Sequence, residues 1–232
     1  MANTGVISAI SNGFGVVLLM ALGLRGLLQL TAFDIVRGVV LFALIMVLAV
    51  RYLPALHPFP FFGPANQVTT LRAALVSTVA SFVGAPEVPL LASMAVTIAT
   101  VATLLDGVDG WLARRTRMSS PFGARFDMEV DALLILALSL LAWRHGKAAA
   151  WVVWSGVLRY LFVLAGWLLA WMRQPLPPSR RRQTVCVIQV ASLIVILLPR
   201  INPPESVAIA AGALAVLVYS FAVDVWWLWR HR

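Results

Sequence analysis

The sequence predicts an all-α polytopic membrane protein, a six-helix core preceded by two additional transmembrane helices. Three observations lead there. Of 232 residues, 61% are hydrophobic and 12% charged, whereas a water-soluble domain is usually about half apolar and a quarter charged. The apolar residues fall in long continuous runs, and about 20 of them in a helix cross a hydrocarbon layer ~30 Å thick. The runs also lack the period-2 alternation of a membrane barrel. Because lipid offers backbone groups no hydrogen bonds, such spans are helices.

The chain gives eight segments, at residues 7–30, 35–52, 68–83, 89–113, 122–143, 148–172, 184–198 and 207–229. Between the second and third lies LPALHPFPFFGPANQ, too rich in Pro and aromatics for one regular helix. It reads as an interfacial connector separating an N-terminal region, 1–65, from a core, 66–232. The other breaks include GAPE at 84–87, QPLPP at 174–178 and PRINPP at 199–204. No internal repeat or soluble domain is evident.

The net charge of +9 is topological rather than a footprint for nucleic acid. Its densest groups are Arg114–Arg117, Arg180–Arg182 and the tail Arg230–Arg232. Even numbers of crossings place all three on one side, which the positive-inside rule makes cytoplasmic. The stretch Arg144–Lys147 runs against the rule. A multi-pass protein of a bacterial inner membrane is the expectation, with basic loops meeting anionic headgroups. The nine Trp fall mostly near segment ends, as an aromatic belt requires. Cys186 is the single cysteine, so no intrachain disulfide forms. No Lys or Arg precedes Arg25, so no cleaved signal peptide is expected.

Nine acidic residues occur in the chain, and Asp106, Asp109, Asp127, Glu129 and Asp131 lie close together in sequence. Ionisable groups in membrane segments are costly and face a cavity, a partner or an ion. Asp106 and Asp109 are three apart and Asp127 and Asp131 four apart, so each pair shares a helix face. Glu129 lies off that face. A short loop makes the two helices antiparallel neighbours, and four converging carboxylates are the hard oxygen ligands that Mg²⁺, Mn²⁺ or Ca²⁺ prefer. The competing account pairs these acids with Arg114, Arg115, Arg117 and Arg125. Gly107 and Gly110, each costing about 1 kcal/mol relative to Ala in a helix, favour a ligand approaching the backbone, and Gly123 does the same on the facing helix.

The segment DGVDGWLAR, Asp106 to Arg114, is followed after eight residues by GARFDMEVD, Gly123 to Asp131. This resembles the CDP-alcohol phosphatidyltransferase signature D-x-x-D-G-x-x-A-R, eight residues, G-x-x-x-D-x-x-x-D, with every fixed position filled. The resemblance covers about 66–229 and implies a six-helix core, usually homodimeric, with a site opening toward the cytoplasmic interface. It implies transfer of a phosphatidyl group from CDP-diacylglycerol to a small alcohol, with release of CMP and a Mg²⁺ or Mn²⁺ cofactor. Asp106, Asp109 and Asp127 become metal ligands, and Asp131 completes the cluster and serves as general base. Asp106, Gly107, Gly110, Arg114 and Gly123 line the CDP site.

Upstream, PANQVTTLR resembles the family's P-N-x-x-T-x-x-R, with Ala65 as an extra residue. Asn66 and Thr69 are then candidate nucleotide contacts, Asn66 alternatively being a helix cap. Arg72 is placed to pair with the acids. Arg159 is a charge inside an apolar run, and Arg180, Arg181 and Arg182 precede a membrane helix. Guanidinium forks suit an acceptor phosphate, although the triple Arg also fits headgroups and topology. Where close relatives using glycerol phosphate read D-P-x-A-D-K, this chain reads DMEVDA. Glycerol 3-phosphate is the first expected acceptor, an inositol phosphate the second and a neutral alcohol such as serine the third. The rival from another class is a divalent-cation channel or transporter, which usually binds near the midplane at a repeat interface. His57, His145 and His231 read as interfacial, and the two N-terminal helices have no assigned role.

Overall fold

A computed structural model describes residues 3–232, and among these every regular element is helical. Eight α-helices run in order: α1 Asn3–Leu28, α2 Ala32–Leu56, α3 Pro64–Ser81, α4 Pro89–Arg115, α5 Pro121–Arg144, α6 Trp154–Leu168, α7 Arg180–Leu197 and α8 Glu205–Arg230. Five helical stretches are long and apolar enough to cross a bilayer: Gly5–Leu28, Ala32–Leu56, Leu90–Arg115, Ala150–Leu168 and Glu205–Arg230. The protein is an integral membrane protein.

Of the remaining three helices, expected as spans, α3 carries polar residues for a reason its packing shows. The chain divides into two compact units, Met1–Leu134 and Ile135–Arg232. In the first, α3 packs against α1, α2 and α4. Its interior residues include Thr69, Thr70, Arg72, Ser77, Thr78 and Ser81. A helix enclosed by other helices need not be apolar if its polar groups find partners. The hydroxyls of Thr70, Ser77 and Thr78 bond carbonyls one turn back, on Asn66, Ala73 and Ala74. Small side chains at Ala73, Ala74 and Ser77 let neighbouring backbones come close.

Boundaries shift where local chemistry overrides apolarity. Pro54 sits in the last turn of α2, where it removes the N–H that would bond the Val50 carbonyl, yet the helix continues to Leu56. The connector is thereby shortened to 57–63. Helix α3 starts at Pro64, after Gly63 with φ of 81°, a left-handed value that glycine adopts readily. Asn66 is therefore inside the helix and does not cap it. The segment expected at 148–172 is broken into α6 flanked by 3₁₀ turns, Ala150–Val153 and Ala170–Arg173.

In the second unit, α8 packs against α7 and α6. Lys147, which sits in the loop that runs against the positive-inside rule, is buried. Its ammonium donates to the carbonyls of Leu198 and Ile201 at 3.2 and 2.7 Å and to Asn202 Oδ1 at 3.0 Å. It terminates α7 and is not a headgroup contact. Connectors of matching parity also meet within each unit: 57–63 with 116–120 through His57 and Ser120, and the segment after α6 with the tail through Gln174 and His231. Helices that reverse direction at each loop require these pairings.

Candidate active site

Three helices of the first unit converge on one guanidinium. Arg72 of α3 is 1% exposed. Its Nε donates to the Ala102 carbonyl at 3.1 Å, and its Nη atoms reach Asp106 at 2.9 Å, Asp109 at 2.8 Å, Asp127 and Asp131. A side chain with five N–H groups thus has a carbonyl and four carboxylates around it. The i, i+3 and i, i+4 spacings place Asp106 with Asp109 on α4 and Asp127 with Asp131 on α5, and the short intervening loop folds the two faces together. Asp109 is the most deeply placed, its side chain 6% exposed, and Asp106 and Asp127 are each 36% exposed. The cluster therefore has a buried floor and an accessible rim.

Asp106, Asp109 and Asp127 bring one carboxylate oxygen each within 4.8 Å of the others. One guanidinium set among four carboxylates leaves a deficit of positive charge in a setting where repulsion is weakly screened. All-oxygen donors and the charge deficit both suit a divalent cation. Asp131 joins the group through Arg72 at its edge. Of the four arginines in the competing account, two lie over aromatic rings: Arg125 over Tyr52 at 4.7 Å and Arg115 over Trp111 at 4.9 Å.

Residues 62–226 match the family model of CDP-alcohol phosphatidyltransferase. The chain belongs to the CDP-alcohol phosphatidyltransferase family. Among curated relatives, it is 32% identical over 154 residues to the bifunctional IPC transferase and DIPP synthase of Rubrobacter xylanophilus, an alignment covering 64% of this chain and 34% of that protein. It is 29% identical over 135 residues to a CDP-diacylglycerol–glycerol-3-phosphate 3-phosphatidyltransferase of Pseudomonas fluorescens, covering 54% and 66%. The chain thus spans about a third of the first relative and just under two thirds of the second. No solved structure matches it significantly.

The family motif's other positions fall around the carboxylates. A Cβ on Gly107 would meet no heavy atom within 4 Å, so α4 presents open backbone there. At Gly110 the nearest group would be the Arg114 guanidinium, at 3.3 Å. A Cβ on Gly123 would lie 3.0 Å from Asn66 Oδ1, so the missing side chain lets α3 and α5 approach. Asn66 Nδ2 donates back to the Phe62 carbonyl. Thr69 Oγ1 lies 3.0 Å from Asp109 Oδ2 and 3.1 Å from the Ala65 carbonyl, which ties this candidate nucleotide contact to the acidic floor.

The four candidate acceptor arginines lie in the second unit. Arg181 donates to the Ser220 carbonyl and to Asp224. Arg182 reaches Asp224 at 3.2 Å and the Pro177 carbonyl. Arg180 is exposed, and Arg159 is partly buried on α6. Sequence reasoning missed Asp224, 5% exposed on α8, although an acid inside an apolar run was a signal in plain view. It also missed Ser120, whose place before Pro121 is a helix-start pattern.

Proposed function

We propose that the chain transfers a phosphatidyl group from CDP-diacylglycerol to a small alcohol, with glycerol 3-phosphate as the acceptor and CMP as the other product. The observation that carries this reading is the gathering of Asp106, Asp109 and Asp127 within 4.8 Å, beside Asp131. The first three hold a divalent cation, Mg²⁺ or Mn²⁺. The chemistry that ion supplies when bound is neutralisation of the diphosphate and of the departing CMP.

The chain's own residues do the rest. Asp131, at the edge of the cluster, takes the proton from the acceptor hydroxyl as its oxygen bonds to the lipid-linked phosphorus and the bond to CMP breaks. Gly107 and Gly110 let the nucleotide approach α4, Arg114 offers a guanidinium to it, and Asn66, Thr69 and Gly123 form the facing wall. Arg159 and Arg180 to Arg182, in the second unit, are offered as guanidinium groups for an acceptor phosphate, and Asp224 pairs with two of them. The glycerol phosphate acceptor draws support from the Pseudomonas relative, a CDP-diacylglycerol–glycerol-3-phosphate 3-phosphatidyltransferase, and an inositol phosphate is the next choice. Residues 66–232 form the catalytic core, the site faces the cytoplasm of a bacterial inner membrane, and the working form is a homodimer.

The test is CMP release by purified protein in detergent. CDP-diacylglycerol and Mg²⁺ or Mn²⁺ are supplied with glycerol 3-phosphate, inositol phosphate or serine, and Asp131→Asn serves as control. Metal-dependent release with glycerol 3-phosphate, lost in the variant, is expected. Folded, metal-loaded protein that releases no CMP with any acceptor would overturn the reading and leave cation transport in its place.

A further inference from the structure

We propose that His57 is a positioning residue for the α5 carboxylates, acting through Ser120, so that the connector ahead of the family segment is part of the working site. The inference rests on the reading that Asp127 and Asp131 serve the reaction. Its first residue, His57, lies outside the matched span of 62–226, and Ser120 lies within that span but between the fixed positions of the aspartate motif.

The hydrogen-bond chain runs in one direction. His57 Nε2 lies 2.8 Å from the Phe61 carbonyl, and His57 Nδ1 lies 3.1 Å from Ser120 Oγ. A carbonyl only accepts, so Nε2 carries the proton and Nδ1 is left to accept from the Ser120 hydroxyl. Ser120 Oγ in turn accepts from the Gly123 backbone N–H at 3.1 Å. That is an N-cap bond, satisfying a donor left free in the first turn of α5. The imidazole thus orients the hydroxyl that starts the helix carrying Asp127 and Asp131.

Independent contacts fix the same junction. The His57 ring packs edge-on against Phe122 at 5.7 Å and Phe59 at 5.5 Å between centroids. Tyr52, from the last turns of α2, lies under Arg125 of α5. A Cβ on Gly63 would lie 3.0 Å from the Met118 side chain, so the connector also lies against the α4–α5 loop. Asp127 is two turns beyond the cap. A helix is a stiff rod rising 1.5 Å per residue, so a displacement of the anchored first turn of α5 is carried along it to both carboxylates.

The experiment uses the full-length chain in detergent. It measures Mn²⁺ affinity by electron paramagnetic resonance, kcat and KM for CMP release, and thermal stability, for His57→Ala, Ser120→Ala, the double variant and Ser120→Thr. The expected result is a several-fold loss of Mn²⁺ affinity and of kcat in each single alanine variant, with KM for CDP-diacylglycerol little changed. The double variant loses no more than Ser120→Ala alone, because His57 acts only through Ser120. Ser120→Thr, which keeps the hydroxyl, restores the wild-type values. Alanine variants with unchanged affinity and kcat, or losses that merely follow the melting temperature, overturn the proposal. Should His57→Ala not fold, His57→Phe keeps the ring packing, removes the bond to Ser120 while leaving the Gly123 cap, and decides the matter. Wild-type protein that binds Mn²⁺ without releasing CMP sinks the transferase reading alone, because the coupling to Mn²⁺ affinity is still read directly.

Discussion

Arg72 is the residue on which the first unit's polar interior depends. It is nearly fully buried, and its guanidinium is shared among four carboxylates drawn from two other helices. Removing one partner from a buried ionic group typically costs about 3–5 kcal/mol, because the remaining charges stay desolvated and unpaired. Here the charges left behind would be four carboxylates of like sign. Arg72→Ala is therefore expected to melt well below wild type in EDTA and to regain part of the difference with Mn²⁺. Arg72→Lys falls between, since an ammonium cannot reproduce a planar five-donor fork. Melting curves with and without Mn²⁺ check this, and an Arg72→Ala curve unaffected by Mn²⁺ would argue against a cation site in the cluster. The sequence made the four aspartates legible through their spacing. That a single arginine would touch all four depended on three helices meeting, and one-dimensional spacing does not contain that information.

At the scale of elements, helix contacts depend on where side chains are missing. Gly156 on α6 is buried, and a Cβ there would lie 2.5 Å from the Leu136 Cα of α5. No rotamer change relieves a clash with backbone, so Gly156→Ala must push the helices apart, and overpacking of this kind typically costs about 1–3 kcal/mol. Gly212 on α8 has no heavy atom within 4 Å of the same construction, and Gly212→Ala is expected to keep stability or raise it by up to about 1 kcal/mol. Thermal melts of the two variants side by side form the check, and equal effects would refute the assigned contact. Both are single glycines in apolar runs, and the sequence alone gives no reason to rank them. Nor does it reveal that α3, the most polar of the early helices, is enclosed by α1, α2 and α4.

For the whole molecule, the consequence is a topology. Within each unit loops of equal parity meet, and along the chain the basic stretches 114–117, 180–182 and 230–232 share one parity. In a background with Cys186→Ala, a single cysteine at Thr116 is expected to be labelled from the cytoplasmic side by a membrane-impermeant maleimide. One at Glu87 is expected to be labelled from the opposite side. Labelling of both from the same side of intact cells or oriented vesicles would refute the alternating arrangement. In the loop that runs against the charge rule, Lys147 is buried among the carbonyls that follow α7, while Arg144 is exposed.

The sequence by itself determined the solvent, the all-helical class, the eight helices and the family, because apolar run length and motif spacing are properties of the chain read in one dimension. It also marked the four aspartates. Only the tertiary structure decided which helices are enclosed and which polar groups partner one another. It gathers the acids on Arg72, ties Arg181 and Arg182 to Asp224, and brings His57 to the cap of α5. Those contacts join residues dozens of positions apart, and their existence depends on helix azimuth and close approach, which burial and side-chain shape fix only once the helices have packed.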